Sequence, residues 1–203
     1  MAKLASIGLM LTISCLLAFT LNMSVDARKQ EDFVVKEVTG FPDSFCRGKE
    51  KFINFRVFVQ DLSVNHPNTT TYDVAQASIT ATSKTGFGKV RVIDDLVTAG
   101  PEGDSEALGR LQGLLTRADL NTLAIAVNLN LYFSAGPYAG STLSILGRNE
   151  IGLAERELVV AGGTGVFRFA RGYAIQKTNS TGTNISVLDY NIYTTYSGTL
   201  SQM

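Results

Sequence analysis

An all-β domain of short antiparallel strands, closed as a barrel or layered as a sandwich, is the fold class this sequence predicts. Apolar residues recur at every second position through most of the chain, and helical spacing is scarce. Clusters of Gly, Pro, Asn and Ser cut these runs at short, regular intervals, as "NHPNTTT", "KTGFG", "TAGPEGDS", "SAGPYAGS" and "TNSTGTN" do. Runs of this length and spacing belong to barrels and sandwiches, and periodicity alone fits both.

Taken in order, "KFINFRVFVQDL" from Lys51 sets Ile53, Phe55, Val57, Val59 and Asp61 on one face. Strands are also expected at "QASITATS" from Gln76, "GKVRVIDDL" from Gly88 and "LGRLQGLL" from Leu108. "TLAIAVNLNLYF" gathers Leu123, Ile125, Val127, Leu129, Leu131 and Phe133 against Ala124, Ala126, Asn128 and Asn130. "GSTLSILG" from Gly140 and "RELVV" from Arg156 follow, the latter aligning Arg156 with Leu158 and Val160. The stretch "AGGTGVFRFARGYA", Ala161 to Ala174, lacks the third glycine of a dinucleotide fingerprint and the lysine of a phosphate loop. It reads as a tight turn leading into a strand that shows Phe167, Phe169 and Tyr173 on one side. "SVLDYNIYTTY" from Ser186 closes the set at eight or nine strands.

Residues 1–27 carry one lysine, a long apolar run and the small-residue boundary Val25-Asp26-Ala27, which together predict a cleaved secretory signal. Residues 28–48 are charged and turn-rich and are expected to form an arm, 49–196 the β-domain, and 197–203 a frayed tail. Lys and Arg number 18, as do Asp and Glu, and the signal removes one of each sign (Lys3 and Asp26), so the mature chain is formally neutral. That balance suggests neither a nucleic acid nor a membrane surface as partner. Sequons at Asn68, Asn179 and Asn184 are candidate glycosylation sites consistent with export. Cys15 falls in the signal, which leaves Cys46 without an intrachain partner.

The chemistry open to the chain is narrow. A single histidine, His66, sits in the polar turn "NHPNT", so neither a Ser-His-Asp triad nor a His/Cys metal site is expected, and no cofactor motif is present. Acid–base and pocket chemistry remain. Asp61 ends an apolar strand face, Asp94 stands in the same relation to Val90 and Val92, and Arg156 shares the face of Leu158 and Val160. A carboxyl so placed is either capped by backbone donors or raised in pKa by desolvation, and the guanidinium suits a carboxylate or an anionic ligand oxygen.

The segments "FVQDL" (58–62), "VAQA" (74–77), "VIDDLVTAGPE" (92–102), "GRLQG" (109–113), "GPYAGSTLSILGRN" (136–149) and "RELVVAGGTGVFRFARGYAIQKT" (156–178) resemble, in order, those of plant dirigent proteins. The resemblance implies an eight-stranded antiparallel β-barrel, a homo-oligomer (commonly a trimer), and glycosylated export to the cell-wall space or apoplast. It further implies stereochemical control of the coupling of phenoxy radicals from monolignols such as coniferyl alcohol, with a separate laccase or peroxidase as oxidant. Some relatives instead act as cyclases on a quinone methide or isoflavonoid intermediate, as pterocarpan synthases do, and a barrel that only binds a phenolic is a third expectation. By position, Asp61 and Arg156 match the family's pocket aspartate and arginine. Gln60 replaces the motif histidine, Leu115 stands where pinoresinol-forming members carry tyrosine, and Asn149 stands where they carry a second pocket aspartate.

Overall fold

The structure, a computed structural model, describes residues 51–196. The expected signal (1–27), arm (28–48) and tail (197–203), with Cys15 and Cys46, lie outside the described residues. Nine strands follow one another: β1 Lys51–Leu62, β2 Thr71–Ala75, β3 Val90–Thr98, β4 Ala107–Arg117, β5 Ala124–Phe133, β6 Thr142–Glu150, β7 Arg156–Thr164, β8 Arg171–Thr181 and β9 Ile185–Tyr196. All pair antiparallel. From β3 to β9 each strand lies beside the next, β9 pairs with β1, and β1 returns to β3, which closes an eight-stranded barrel. Closure removes the sheet edges that an open sheet would leave unpaired. Where residue pattern alone left a sandwich open, this β1–β3 ladder decides for the barrel.

The short strand β2 lies outside that ring and borrows part of one edge. The C-terminal half of β3 pairs with β1 (Phe58 with Thr98, Gln60 with Leu96), whereas its N-terminal half pairs with β2 (Thr71 with Ile93, Asp73 with Arg91). β1 and β3 therefore part just beyond Gln60, and the chain at Thr70 and Thr71 wedges between them. This split edge shapes the site described below.

Period two sends one row of each strand inward. Val57, Val59, Val97, Leu131, Leu143, Ile145, Leu158 and Ile192 make the middle of the core, each with at most 2% of its surface exposed. One end of the barrel is packed solid by Phe55, Phe133, Tyr138, Phe167 and Tyr196, whose neighbouring rings lie 5.1–6.3 Å apart. Such pairs add about 0.5–1.5 kcal/mol each beyond simple burial. The tight curvature of β4 depends on glycine. A Cβ at Gly113 (φ +149°) would sit 2.1 Å from the carbonyl oxygen of Asn128, and one at Gly109 would sit 1.9 Å from that of Tyr132.

Two expected strands fall elsewhere. Gln76–Ser83 is not a strand. It holds a 3-10 turn at Thr80–Thr82, in which Thr80 Oγ1 donates to Phe87 O (2.8 Å) and Thr82 Oγ1 to Ile79 O (3.1 Å). Hydroxyls that satisfy nearby carbonyls compete with a strand ladder, and the ladder forms at Thr71–Ala75 instead. After β7 the chain makes another 3-10 turn over Gly165–Phe167, so the strand expected to show Phe167, Phe169 and Tyr173 on one side begins only at Arg171. Phe167 is buried as part of the aromatic plug, while Phe169, at φ +64°, turns outward.

Candidate active site

The half of the barrel away from the aromatic plug is hollow. A cavity of about 340 Å³ is lined by inward residues of all eight ring strands. Its apolar surface comes mainly from β3, β4 and β5 (Ile93, Leu111, Leu115, Val127, Leu129), and Leu188 adds to it from β9. Its polar groups fall on two walls. In an eight-strand ring β6 stands across from β1 and β7 across from β3, so Asn149 (β6) and Arg156 (β7) face Asp61 (β1) and Asp95 (β3) over the cavity.

The carboxyl wall follows from the split edge of β3. One step past the Gln60–Leu96 pair, the antiparallel register would set Asp61 opposite Asp95. Two like charges in that position repel. The wedge separates them and supplies a hydroxyl to each: Thr71 Oγ1 donates to Asp61 Oδ1 (3.2 Å), and Thr70 Oγ1 donates to Asp95 Oδ1. Burial raises the Asp61 carboxyl above its ordinary range, against the Thr71 hydrogen bond and the charge of Arg91. Burial likewise pushes Asp95, only 2% exposed, up to about 7, the Thr70 hydroxyl opposing and the Asp61 charge adding to the rise. At neutral pH this wall can therefore both accept and donate a proton.

The opposite wall is a chain of amides and a cation. Arg156, 6% exposed, donates from Nε to Gln176 Oε1 (3.4 Å), from Nη1 to Leu153 O (2.9 Å) and from Nη2 to Thr178 Oγ1 (3.1 Å). It forms no ion pair with a carboxylate of the described residues, and burial lowers its pKa from the usual guanidinium value. Asn149 Nδ2 donates to the same Gln176 Oε1, and Gln176 Nε2 donates to the phenolic oxygen of Tyr190 (2.8 Å). Tyr190 is buried, and that burial raises its pKa.

Of the residues expected from sequence, the structure brings Asp61, Arg156 and Asn149 to one cavity, though Arg156 and Asp61 stand on facing walls and do not pair. Asp94 is not there. It points outward, where it accepts from Arg110 Nε (2.8 Å) and Gln112 Nε2 (3.0 Å), and Arg110 holds its carboxyl below the usual range. The inward row of β3 is Arg91, Ile93, Asp95 and Val97, so the cavity carboxyl is its neighbour Asp95. Asp94→Asn is accordingly expected to leave the cavity unchanged and to cost no more than about 1 kcal/mol, checked by thermal melting. Gln60 lies on the outer face, donating to Thr98 Oγ1 (3.1 Å) and Pro101 O (3.2 Å), whereas Leu115 lines the cavity. Gln176 and Tyr190 were not singled out by sequence, although each shares parity with apolar neighbours, Ala174 and Ile192. The sequons lie on the loop after β1 (Asn68), near the end of β8 (Asn179) and on the turn before β9 (Asn184), all toward the cavity end.

Comparison with known proteins follows the same lines. The family described as "Dirigent-like protein" matches residues 52–195. "Dirigent protein 21" of Arabidopsis thaliana is 37% identical over 193 residues, 94% of this chain and 98% of the relative. "Pterocarpan synthase 1" of Glycyrrhiza echinata is 36% identical over 179 residues, 87% of this chain and 88% of the relative. Among solved structures, that of the pterocarpan synthase dirigent protein GePTS1 superposes with a TM-score of 0.70 at 34% identity, covering 78% of this chain and 98% of the other.

Proposed function

The chain belongs to the dirigent family, and on that footing we propose that it orients phenoxy radicals of monolignols in its cavity so that one coupling face is favoured. A separate laccase or peroxidase generates the radicals. The observation that carries this reading is the division of the cavity into an apolar side, against which a flat aromatic ring packs, and two polar walls that fix its oxygens. Two radicals pair their electrons in one carbon–carbon bond and give a bis-quinone methide. Each methide is consumed when a hydroxyl oxygen adds to it, the hydroxyl proton leaves, and a proton reaches the quinone oxygen. The protein supplies position and proton transfer and no electrons, and positioning of this kind is worth up to about 7–11 kcal/mol.

A second reading, a cofactor-free cyclase acting on a single quinone methide or isoflavonoid intermediate, is favoured by the Asp61–Asp95 wall, where one carboxyl can protonate a quinone oxygen while the other takes a hydroxyl proton. Relatives named as pterocarpan synthases support it. Coniferyl alcohol incubated with the protein, with and without a one-electron oxidant, separates the readings. We expect no product and no oxygen uptake without oxidant, and with it an enantiomeric excess that oxidant alone does not give. Racemic product would overturn the coupling reading, and stereoselective ring closure of an isoflavonoid quinone methide without oxidant would establish the cyclase. A barrel that binds the phenol and alters neither reaction is a carrier.

The reading includes export to the apoplast after cleavage near Ala27, N-glycosylation on at least one of Asn68, Asn179 and Asn184, and a homo-oligomer, a trimer in the first instance. In support of an oligomer, the outer face carries exposed apolar residues in lateral register, Tyr72, Val92 and Leu114 on one side of Asn128 and Leu146, Val159 and Tyr173 on the other. Intact mass and light scattering on protein from apoplastic fluid test these points together. A glycan-free monomer that still begins at Met1 would remove all three.

A further inference from the structure

The corner of the cavity mouth formed by β3 and β4 holds more positive charge than its own carboxylates cancel. Period two carries the inward rows of these strands to the rim at Arg91 and Lys89 on one side and Arg117 on the other, and all three line the cavity. The Val90–Thr116 register, continued by one residue, sets Lys89 opposite Arg117, and the Arg117 N–H donates to Lys89 O (2.9 Å). Like charges directly opposite one another across a ladder repel. One carboxylate is built into the corner: Asp73 on β2 accepts from Arg91 Nε (2.7 Å) and Lys89 Nζ (2.8 Å), and these hydrogen bonds hold it down at about 2. It stays charged and cancels one of the three cations. Arg117 has no carboxylate partner among the described residues; its Nη1 donates to Thr85 O (3.2 Å), a neutral acceptor. Asp119, on the loop that follows β4, is taken instead by Arg148 (3.0 Å) and by the amides of Asn121 and Thr122. Even with Asp61 ionised, three cations meet two carboxylates here. The cations are also reachable, since the side chains of Lys89 and Arg91 are 29% and 28% exposed and Arg117 is half-buried.

We propose that this corner is an anion-binding site, where the Arg117 guanidinium and the Lys89 ammonium take the carboxylate of an aromatic acid whose ring enters the barrel against Leu115, Ile125 and Val127. The inference rests on the reading that the cavity takes a phenolic, and deepens it by assigning the charge of the end that stays at the mouth. A planar carboxylate matches the fork of a guanidinium that has donors to spare, and its charge relieves the repulsion between Lys89 and Arg117. The same charge fixes the direction of entry. Deeper in the barrel a carboxylate would be desolvated and would meet Asp61 and Asp95, whereas at the rim it keeps contact with water. Among one-ring phenolics, acids are therefore held more tightly than alcohols.

Binding in the absence of oxidant tests this apart from any chemistry. Calorimetry at neutral pH would compare ferulate, its methyl ester and coniferyl alcohol, which share one ring and a three-carbon side chain and differ in the charge at its end. Ferulate should bind the wild type about tenfold or more tightly than either neutral probe, and added salt should weaken ferulate alone. In Arg117→Gln the preference should vanish, ferulate falling to the affinity of its ester while the ester is unchanged. Lys89→Gln provides the same comparison if loss of Arg117 disturbs the loop that it holds through Thr85. Equal binding of the three probes to the wild type, or a preference for ferulate that survives in both variants, overturns the inference and leaves the phenolic reading intact. Failure of every probe to bind the wild type overturns both.

Discussion

Asp61→Asn should lower the rate of stereoselective product formation by about 10²–10⁴-fold, or roughly 3–5 kcal/mol, without unfolding the barrel. The substitution keeps the volume of the side chain and an oxygen able to accept from Thr71 Oγ1, so the hydrogen bond at 3.2 Å has a replacement. What is lost is the titratable proton, on a carboxyl already raised by burial toward values useful for acid–base work. Melting temperature at neutral pH should hold or rise, since a desolvated charge is removed. A structural carboxylate would behave in the opposite way, with a lower melting temperature and an unchanged product ratio. Single-turnover product analysis by chiral chromatography beside thermal melts distinguishes the two, and full selectivity with lost stability would refute the catalytic role.

How much of this site was legible depended on strand parity. Asp61 and Arg156 could be placed because Ile53, Phe55, Val57 and Val59 make an unbroken apolar row in step with Asp61, and Leu158 and Val160 one in step with Arg156, whereas the opposite rows are interrupted by Asn54, Arg56 and Gln60 and by Glu157. In the run "KVRVIDDL" the asymmetry points the wrong way: Val90, Val92 and Leu96 share the parity of Asp94, against Ile93 alone with Asp95. Only tertiary pairing overrides it. Val97, fully buried against β1, fixes odd residues inward and thereby selects Asp95 over Asp94. Barrel closure was likewise beyond periodicity, because it rests on three residue pairs between β1 and β3 that no local pattern encodes. Family resemblance implied the barrel, and the β1–β3 ladder accounts for it physically. The wedge at Thr70 and Thr71 looked like part of a turn, since "NHPNTTT" is polar throughout; it becomes strand and carboxyl cap because β3 has an unpaired half-edge to offer. Gln176 and Tyr190 needed a rule the sequence does contain: a polar group in step with inward apolar neighbours belongs to the cavity.

Asp95→Asn should stabilise the barrel at pH 8 and make little difference at pH 4. The sign follows from linkage. The folded-state pKa of Asp95 is raised to about 7 from the ordinary 3.8, so the folded protein holds this proton more tightly than the unfolded chain does. The contribution of this group to stability is fully present below about pH 3.8 and is lost as pH rises through about 7, where the carboxyl must ionise in a buried site. Asparagine has no proton to lose and can still accept from Thr70. The advantage of the variant should therefore grow between pH 4 and pH 8 to a few kcal/mol, a magnitude set by the pKa displacement. Other charges around the carboxyl do not reverse the sign. Asp61 on β1 raises it, Asp94 beside it raises it less, and Arg110 on β4 lowers it, each smaller than the effect of burial. Thermal melts of wild type and variant at intervals across that range would check it, and parallel profiles would show that Asp95 is not the buried acid. The functional corollary uses the same titration. If the protonated Asp95 carboxyl is the group that protonates a quinone oxygen, stereoselective ring closure in the wild type should fall as pH rises through about 7, and the variant, lacking the acid, should be slow at every pH and show no such inflection.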